Sequence, residues 1–377
     1  MHTCTQARRF ISYVTDYRKV NIATKTDSYP IPRLEDCIDR IGSAKYVSKL
    51  DLLKGYYAVP LTERAKNISA FVTPDGLWQY KVTPFGMKNS GATFQRMMNN
   101  LLHDLHGCEA YIDDVVIYSD TWEEHLQIMH ELFRRLKEAN LTVNLCKTEF
   151  CHATVEYLGH IVGGGSIKPI HAKVEAVLNF PTPTNKKMLM RFLGMVGFYR
   201  KFCQNFSIVV VPLTNLLQKR VKFEWDKKCD DAFNKIKSVL VSGPVLCTPD
   251  FTKQFKLNVD ACDVGVGSVL YQEDDDNVDK IVGYFSKKLT KSQRNYSTIE
   301  KECLALLLSL QHFDVYLNVT MYPILCYTDH NPLIFLHKMT GTNQRLTRWS
   351  LIMQEYNIIV KHIKGKDNVI ADALSRV

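Results

Sequence analysis

No stretch of this sequence is apolar for long enough to cross a bilayer. The longest apolar run, Ile208–Leu217, is broken by Pro212, Thr214 and Asn215 and falls short of the roughly 20 residues a spanning helix needs. The N-terminus lacks the apolar core of a secretory leader. No membrane role is expected, and the expected location is intracellular, cytoplasmic or nuclear. CxxC pairs are also missing. The 11 cysteines are scattered without regular spacing, which argues against a disulfide framework and suits a reducing compartment. His103, His106 and Cys108 lie close together, but no second cluster stands at zinc-site spacing. Internal repeats and low-complexity segments are absent. With 46% hydrophobic and 23% charged residues the composition is that of a folded chain, and 377 residues suffice for two or three domains.

The net charge of +9 is unevenly placed. Residues 1–165 hold 19 Lys+Arg against 19 Asp+Glu, and residues 251–377 hold 15 against 14. Residues 166–250 hold 14 against 6, so nearly all the excess lies in one middle segment. A basic strip of this kind attracts a polyanion such as nucleic acid. A solvated helical face would look the same.

Turn signals and hydrophobic periodicity divide the chain into three parts: 1–165, 166–250 and 251–377. The first reads as short strands and helices in the order of an α+β domain. It has a helix over Leu34–Ile41, a strand over Tyr46–Asp51, strand candidates at Val59–Leu61, Ile68–Thr73 and Trp78–Val82, and a helix over Gly91–Leu105. An acidic hairpin at Asp113–Asp114 follows, then an amphipathic helix over Glu123–Asn140 with Leu126, Met129, Phe133 and Leu136 inward. Gly163–Gly165 is expected to close this part. The middle part reads as mostly helical. The last part restarts with strands Phe255–Ala261, Gly265–Leu270 and Ile324–Asp329, a helix opened by a capping box at Ser297–Glu300, and a final helix over Asn368–Ser375.

Two sets of carboxylates stand out. Asp113 and Asp114 sit between β-prone runs, so the flanking strands would fix both acids in place, and like charges held that close repel unless a cation lies between them. An ordinary solvated turn is the plain alternative. Asp51 ends a strand that can lie beside this hairpin. A few carboxylates plus a substrate phosphate complete the shell of a magnesium ion, and two such ions suit in-line attack by a hydroxyl. The second set is Asp260, Glu302, Asp329 and Asp372, which strand ends and a first helical turn can bring into one cleft. Acids scattered over a surface would have the same spacing.

Several segments resemble one family in order. Tyr111-Ile112-Asp113-Asp114 resembles the Tyr-x-Asp-Asp motif of reverse transcriptases, and Lys49–Tyr56 resembles their first catalytic motif. Thr83–Asn89 and Ala92–Gln95 are similar to the segment lining the incoming nucleotide. Tyr157–His160 is similar to the region gripping the primer end. Asn258–Ala261, Tyr296–Ala305, Tyr327–Leu333 and Ala371–Arg376 resemble the ribonuclease H domain of gypsy-type LTR retrotransposons. The resemblance runs from about residue 16 to 377. It implies an α+β and α/β multidomain chain: a right-hand polymerase of fingers, palm and thumb fused to a ribonuclease H-like fold.

On that resemblance, Asp51, Asp113 and Asp114 bind the polymerase metal ions, and Asp260, Glu302, Asp329 and Asp372 bind those that hydrolyse RNA. The ions would be magnesium, or manganese in its place, two per site. Tyr56 would exclude a 2′-hydroxyl, Phe85, Gly86 and Gln95 would line the nucleotide pocket, Arg18 would position the template, and Gly159 would meet the primer. His362 stands where some relatives have an auxiliary catalytic group. Implied partners are an RNA template, a DNA primer, an RNA–DNA hybrid and deoxynucleoside triphosphates. Oligomeric state is not implied.

The departures lie mainly at the start. Ser12 stands where the family has a basic residue, Met1–Phe10 resembles little of it, and Ser90-Gly91-Ala92 lacks a Pro that relatives carry. The fingers are therefore expected to be truncated, as in an excised piece of a polyprotein. Two other readings remain open: a ribonuclease H-only remnant and a non-catalytic nucleic-acid-binding relic.

Overall fold

Side chains along Tyr46–Asp51 alternate between two faces, as a strand requires. Ser48 and Leu50 point into packed helices, while Lys49 and Asp51 lie on the opposite face. The computed structural model describes residues 15–203, 206–241, 245–333 and 343–363, and the chain divides into two units, Met1–Tyr157 and Leu158–Val377.

The first unit runs α1 (Arg18–Ala23), α2 (Leu34–Gly42), β1 (Tyr46–Asp51), α3 (Glu63–Ile68), β2 (Phe71–Thr73), β3 (Gly76–Trp78), α4 (Ser90–Leu101), β4 (Cys108–Tyr111), β5 (Asp114–Ser119), α5 (Trp122–Glu138), β6 (Glu149–His152) and β7 (Val155–Tyr157). Its main sheet has the order β4-β5-β1-β6. Helices α4 and α5 cover one face, where Leu50, Phe94, Met98, Val115, Ile117, Leu132 and Leu136 form the core. Thr121 caps α5 by accepting from Glu124 N at 3.3 Å, and acids in its first turn with bases in its last complement the helix dipole. The buried stripe of α5 is His125, Ile128, Leu132 and Leu136. It lies beside the expected stripe: Leu126 is exposed, and Met129 and Phe133 pack only at the margin. His125 explains the shift. It is fully buried because Ser48 Oγ (2.7 Å) and Ser119 Oγ (2.9 Å) satisfy both ring nitrogens.

The expected strands here are shorter or displaced. Val59–Leu61 contributes only an isolated bridge from Pro60 to Val82. Ile68–Thr73 keeps only β2, because α3, capped by Thr62, runs through Ile68. Trp78–Val82 overlaps the strand β3 only at Trp78.

The second unit holds β8 (His160–Gly163), β9 (Ser166–Pro169), α6 (His171–Leu178), α7 (Lys186–Gly197), α8 (Phe206–Val209), α9 (Val211–Leu216), α10 (Lys227–Val241) and β10 (Leu246–Cys247). It continues with β11 (Phe255–Ala261), β12 (Gly265–Glu273), β13 (Asp279–Lys288), α11 (Thr298–His312), α12 (Asp314–Leu317), β14 (Ile324–Thr328), α13 (Gln344–Met353) and β15 (Ile358–His362). Gly164 and Gly165, with φ of 59° and 73°, form the tight turn between β8 and β9, a backbone state that favours glycine. The triple glycine is thus the tip of a hairpin within the second unit, and the division of the chain falls before it.

The five-stranded sheet has the order β13-β12-β11-β14-β15, antiparallel through β11 and parallel from β11 to β15. Helix α11 is buried almost all round. Leu306, Leu307 and Leu310 join Phe255, Leu257, Phe313 and Ile324 in the core. The expected capping box is formed, with Ser297 N donating to Glu300 at 2.9 Å.

Candidate active sites

In the register of β1 with β5, Asp51 lies directly opposite Asp114. Strand β5 is joined to β4 by a two-residue loop, Ile112-Asp113, closed by the pair Tyr111–Asp114. The three acids expected to meet are therefore brought to one end of one sheet. Ile112 carries a φ of 55°, a strained state for a β-branched residue, costing about 1–3 kcal/mol. The strain is held from below by Gln95, which is fully buried in α4. Its Oε1 accepts from Ile112 N at 2.7 Å, and its Nε2 donates to Ala110 O at 2.8 Å. Gln95 thus clamps the hairpin backbone from the core side and does not line an open pocket.

Burial, then Asp114 and Asp51, raises the pKa of Asp113 to about 6, and its Oδ1 is buried without a hydrogen-bond donor. Burial also raises Asp114, whereas the Lys49 ammonium, 3.9 Å away, draws it back. Lys147 Nζ lies 3.4 Å from Asp51 Oδ2. A buried acceptor without a donor beside two other acids is the environment a hard divalent cation satisfies. Asp51, Asp113 and Asp114 supply the hard oxygens such an ion takes, although among the described residues their carboxylates are not gathered as tightly as those of the second site.

Of the other residues singled out in the first unit, Tyr56 lies near enough to Asp113 to feel its charge. Tyr56 lies between Phe85 and Phe94, ring centroids 5.4 and 5.3 Å away, and a Cβ on Gly91 would reach its hydroxyl at 3.8 Å. Phe85 is exposed, and Gly86 adopts a φ of 91°. That loop is held by Asn21 of α1, which donates to Gly86 O and accepts from Lys88 N, both at 2.8 Å. Arg18 lies on the surface in a bidentate pair with Asp16, whose carboxyl it holds down at about 2. In the second unit, Gly159 has a φ of 84° and accepts from Tyr199 Oη at 3.1 Å; a Cβ there would stand 3.0 Å from the Phe198 ring.

The second acidic site is tighter. Asp260 in β11, Glu302 in α11 and Asp329 just after β14 offer carboxylate oxygens all within 4.8 Å of one another. Extending the parallel register Asn258↔Tyr327 by two residues sets Asp260 beside Asp329. Burial, with Asp260 and Asp329 nearby, pushes Glu302 up to about 9. Its Oε1 accepts from Ala261 N at 3.3 Å, and among the described residues Oε2 is buried without a donor. These residues also fit a divalent cation. His362 ends β15 opposite Thr328, and its Nε2 lies 3.2 Å from the main-chain oxygen of Asp329. Asp372 lies outside the described residues. Among the described residues the His103 region forms no group of three metal-binding side chains, and His103 pairs with Asp104 at the surface.

Sequence reading missed Lys49, Asn21 and Gly55 as contributors. Gly55 carried the clearest signal, a glycine four residues after Asp51. A Cβ there would stand 2.6 Å from Phe94 Cζ and 3.1 Å from Asp113 Oδ1.

A helix-backed antiparallel sheet with acids at its hairpin, and a mixed five-stranded sheet with a buried acidic cluster, define a polymerase palm and a ribonuclease H-like fold. A family model described as reverse transcriptase (RNA-dependent DNA polymerase) matches residues 3–162, and one described as the RNase H-like domain found in reverse transcriptase matches residues 250–356. The match from residue 3 takes in most of the leading segment, which had shown little resemblance. The chain is 39% identical over 367 residues to the retrovirus-related Pol polyprotein from transposon 297 of Drosophila melanogaster, covering 97% of this chain and 34% of that protein. It is 37% identical over 368 residues to the transposon Tf2-3 polyprotein of Schizosaccharomyces pombe, covering 97% and 28%. The chain therefore spans about a third of the length of these relatives.

The fold is shared with the foamy viral protease-reverse transcriptase dRH in complex with double-stranded DNA (TM-score 0.83, 24% identity, 93% of this chain and 62% of that one). It is also shared with the foamy viral protease-reverse transcriptase in complex with RNA/DNA hybrid (TM-score 0.77, 23% identity, 96% and 49%). The chain belongs to the reverse transcriptase and ribonuclease H region of LTR-retrotransposon Pol polyproteins of the 297, opus and Tf2 kind. Among the described residues no helix is long and apolar enough to cross a membrane.

Proposed function

We propose that this chain extends a DNA primer on an RNA or DNA template with deoxynucleoside triphosphates and hydrolyses the RNA of RNA–DNA hybrids. The observation that carries this reading is the register Asp51↔Asp114, which sets a two-acid hairpin turn beside a third acid at one sheet end. The foamy viral neighbours' complexes with DNA and with hybrid support the choice of partners. Residues 1–165 serve as fingers and palm, the basic helices of 166–250 bind the duplex backbone, and 251–377 serve as the ribonuclease.

Asp51, Asp113 and Asp114 hold the polymerase ions. Asp260, Glu302, Asp329 and Asp372 hold those of the nuclease, two magnesium ions per site with manganese able to replace them. When bound, such ions activate an attacking hydroxyl or water and neutralise charge on the leaving oxygen. Tyr56, wedged between two aromatic rings, forms a rigid wall that excludes a 2′-hydroxyl. Phe85 offers its exposed ring to the nucleotide, and Gly86 keeps the adjoining main chain uncluttered. Gly159 allows close backbone approach to the primer, and Arg18 faces the template. His362 holds the main chain of Asp329 and so positions that carboxylate.

The test is a labelled RNA template annealed to a DNA primer in magnesium, scored for extension and RNA cleavage together. Asp113→Asn abolishes extension and spares cleavage, whereas Glu302→Gln does the reverse. Cleavage without any extension by the unaltered chain overturns the polymerase assignment.

A further inference from the structure

Lys49 is a cation on the cleft face of β1, two residues before Asp51. Its side chain is about four-fifths buried, which is unusual for a lysine unless it is partnered. It has two partners of different kinds. Its Nζ donates to the main-chain oxygen of Glu156 in β7 at 2.9 Å, and it lies 3.9 Å from Asp114 Oδ1. In the sheet, Lys49 stands between Val116 of β5 and Glu149 of β6, and its ammonium joins the acidic hairpin to β7, a strand outside this sheet that leads to Leu158. Among the three acids, Asp113 lacks such a neighbour: Asp114 has Lys49, Asp51 has Lys147, and Asp113 Oδ1 is the buried acceptor without a donor.

We propose that Lys49 is a positioning residue of the polymerase site, whose fixed positive charge occupies Asp114 so that Asp113, the acid with no lysine beside it, takes the leading share of a divalent cation, while its bond to Glu156 spaces the catalytic hairpin from the primer-side strand. This rests on the polymerase assignment above. The charge and the tether are separable in physical terms. A cation close to a ligating carboxylate competes with a metal ion for that carboxylate's negative charge. A donor to a main-chain oxygen fixes distance whether or not it carries charge.

Three substitutions divide the two roles. Lys49→Met removes both, Lys49→Gln keeps a donor without the charge, and Lys49→Arg keeps both. Manganese binding to the protein–primer–template complex is followed by electron paramagnetic resonance of the free ion. The Glu302→Gln background weakens the nuclease site in this titration. Affinity for a fluorescent primer–template is measured separately in EDTA. With Lys49→Met and Lys49→Gln manganese binds roughly fivefold more tightly, the scale of a partly screened charge pair acting on a divalent ion. In EDTA, Lys49→Met binds primer–template several-fold more weakly, and Lys49→Gln less so. Lys49→Arg matches the unaltered chain in both.

Unchanged manganese affinity in both neutral variants overturns the charge role, and unchanged primer affinity in Lys49→Met overturns the tether. Hybrid cleavage by the same preparations, before the Glu302→Gln change is added, reports that each variant is folded. If the unaltered chain extends no primer, the polymerase assignment fails instead, a result distinct from either of these.

Discussion

Ile112 N donates to Gln95 Oε1 at 2.7 Å, joining the strained residue of the acidic hairpin to the buried face of α4. Removing that acceptor leaves a main-chain donor without a partner, which costs about 2 kcal/mol when buried. Gln95→Ala is therefore expected to lower the melting temperature and to reduce primer extension far more than hybrid cleavage. Gln95→Glu retains an acceptor for Ile112 but loses the donor to Ala110, so it should fall between the two. Equal loss of both activities in Gln95→Ala would speak against a local role.

Gly55 is held to glycine by crowding. A methyl group there meets Phe94, which is fully buried and cannot yield, and stands 3.1 Å from Asp113 Oδ1. Gly55→Ala is expected to cost about 1–3 kcal/mol through overpacking and to displace Asp113. Steady-state primer extension should show a lowered kcat, with partial recovery when Phe94→Leu is added.

Asn21 captures the loop after Phe85 by two hydrogen bonds, each contributing about 1 kcal/mol. With Asn21→Ala the loop is released and the proposed nucleotide pocket loses its preset shape. The expected outcome is a rise of roughly tenfold in KM for deoxynucleoside triphosphate with a smaller change in kcat. A change confined to kcat would place the role of Asn21 elsewhere.

Glu302 gives a pH signature. Its carboxyl is raised from an ordinary 4.5 to about 9, first by burial and then by Asp260 and Asp329. A raised acid binds its proton more tightly folded than unfolded. Its contribution is therefore fully present below about pH 4.5 and is lost as pH rises toward 9. In EDTA the melting temperature of the unaltered chain should fall across that interval more steeply than that of Glu302→Gln. Divalent metal, which binds the ionised form, should flatten the difference. Parallel pH profiles in EDTA would contradict the burial of this charge.

Much of this was legible because the chemistry is local in sequence. Asp113 and Asp114 sit in a turn bounded by β-prone residues, and the two strand runs allowed Asp51 to be placed at a neighbouring sheet end. The capping box at Ser297 set the start of α11, and with it Glu302. What escaped depends on long-range packing. Helix α3 covers only Glu63–Ile68, too short for a periodic signal, and β2 and β3 have three residues each. Strand β15 is made by parallel pairing with β14, which leaves no turn signature in sequence. Gln95 was expected beside the nucleotide because its segment resembles one that lines it; its side chain points into the core, to Ile112 and Ala110. The stripe of α5 was set one residue aside because a histidine that two serines satisfy looks polar until those serines are located in space.

The loop between Tyr111 and Asp114 has only two residues, so its length carries as much information as its acids. Side chains in a strand alternate between faces, and a slip of one position exchanges them. One residue inserted before Ile112 would leave all seven acids in the chain. If pairing followed the new length, Val115 would turn toward the cleft and Asp114 toward Leu50 and Phe94. A single added codon in this loop is therefore expected to abolish the proposed primer extension although all seven acids remain encoded.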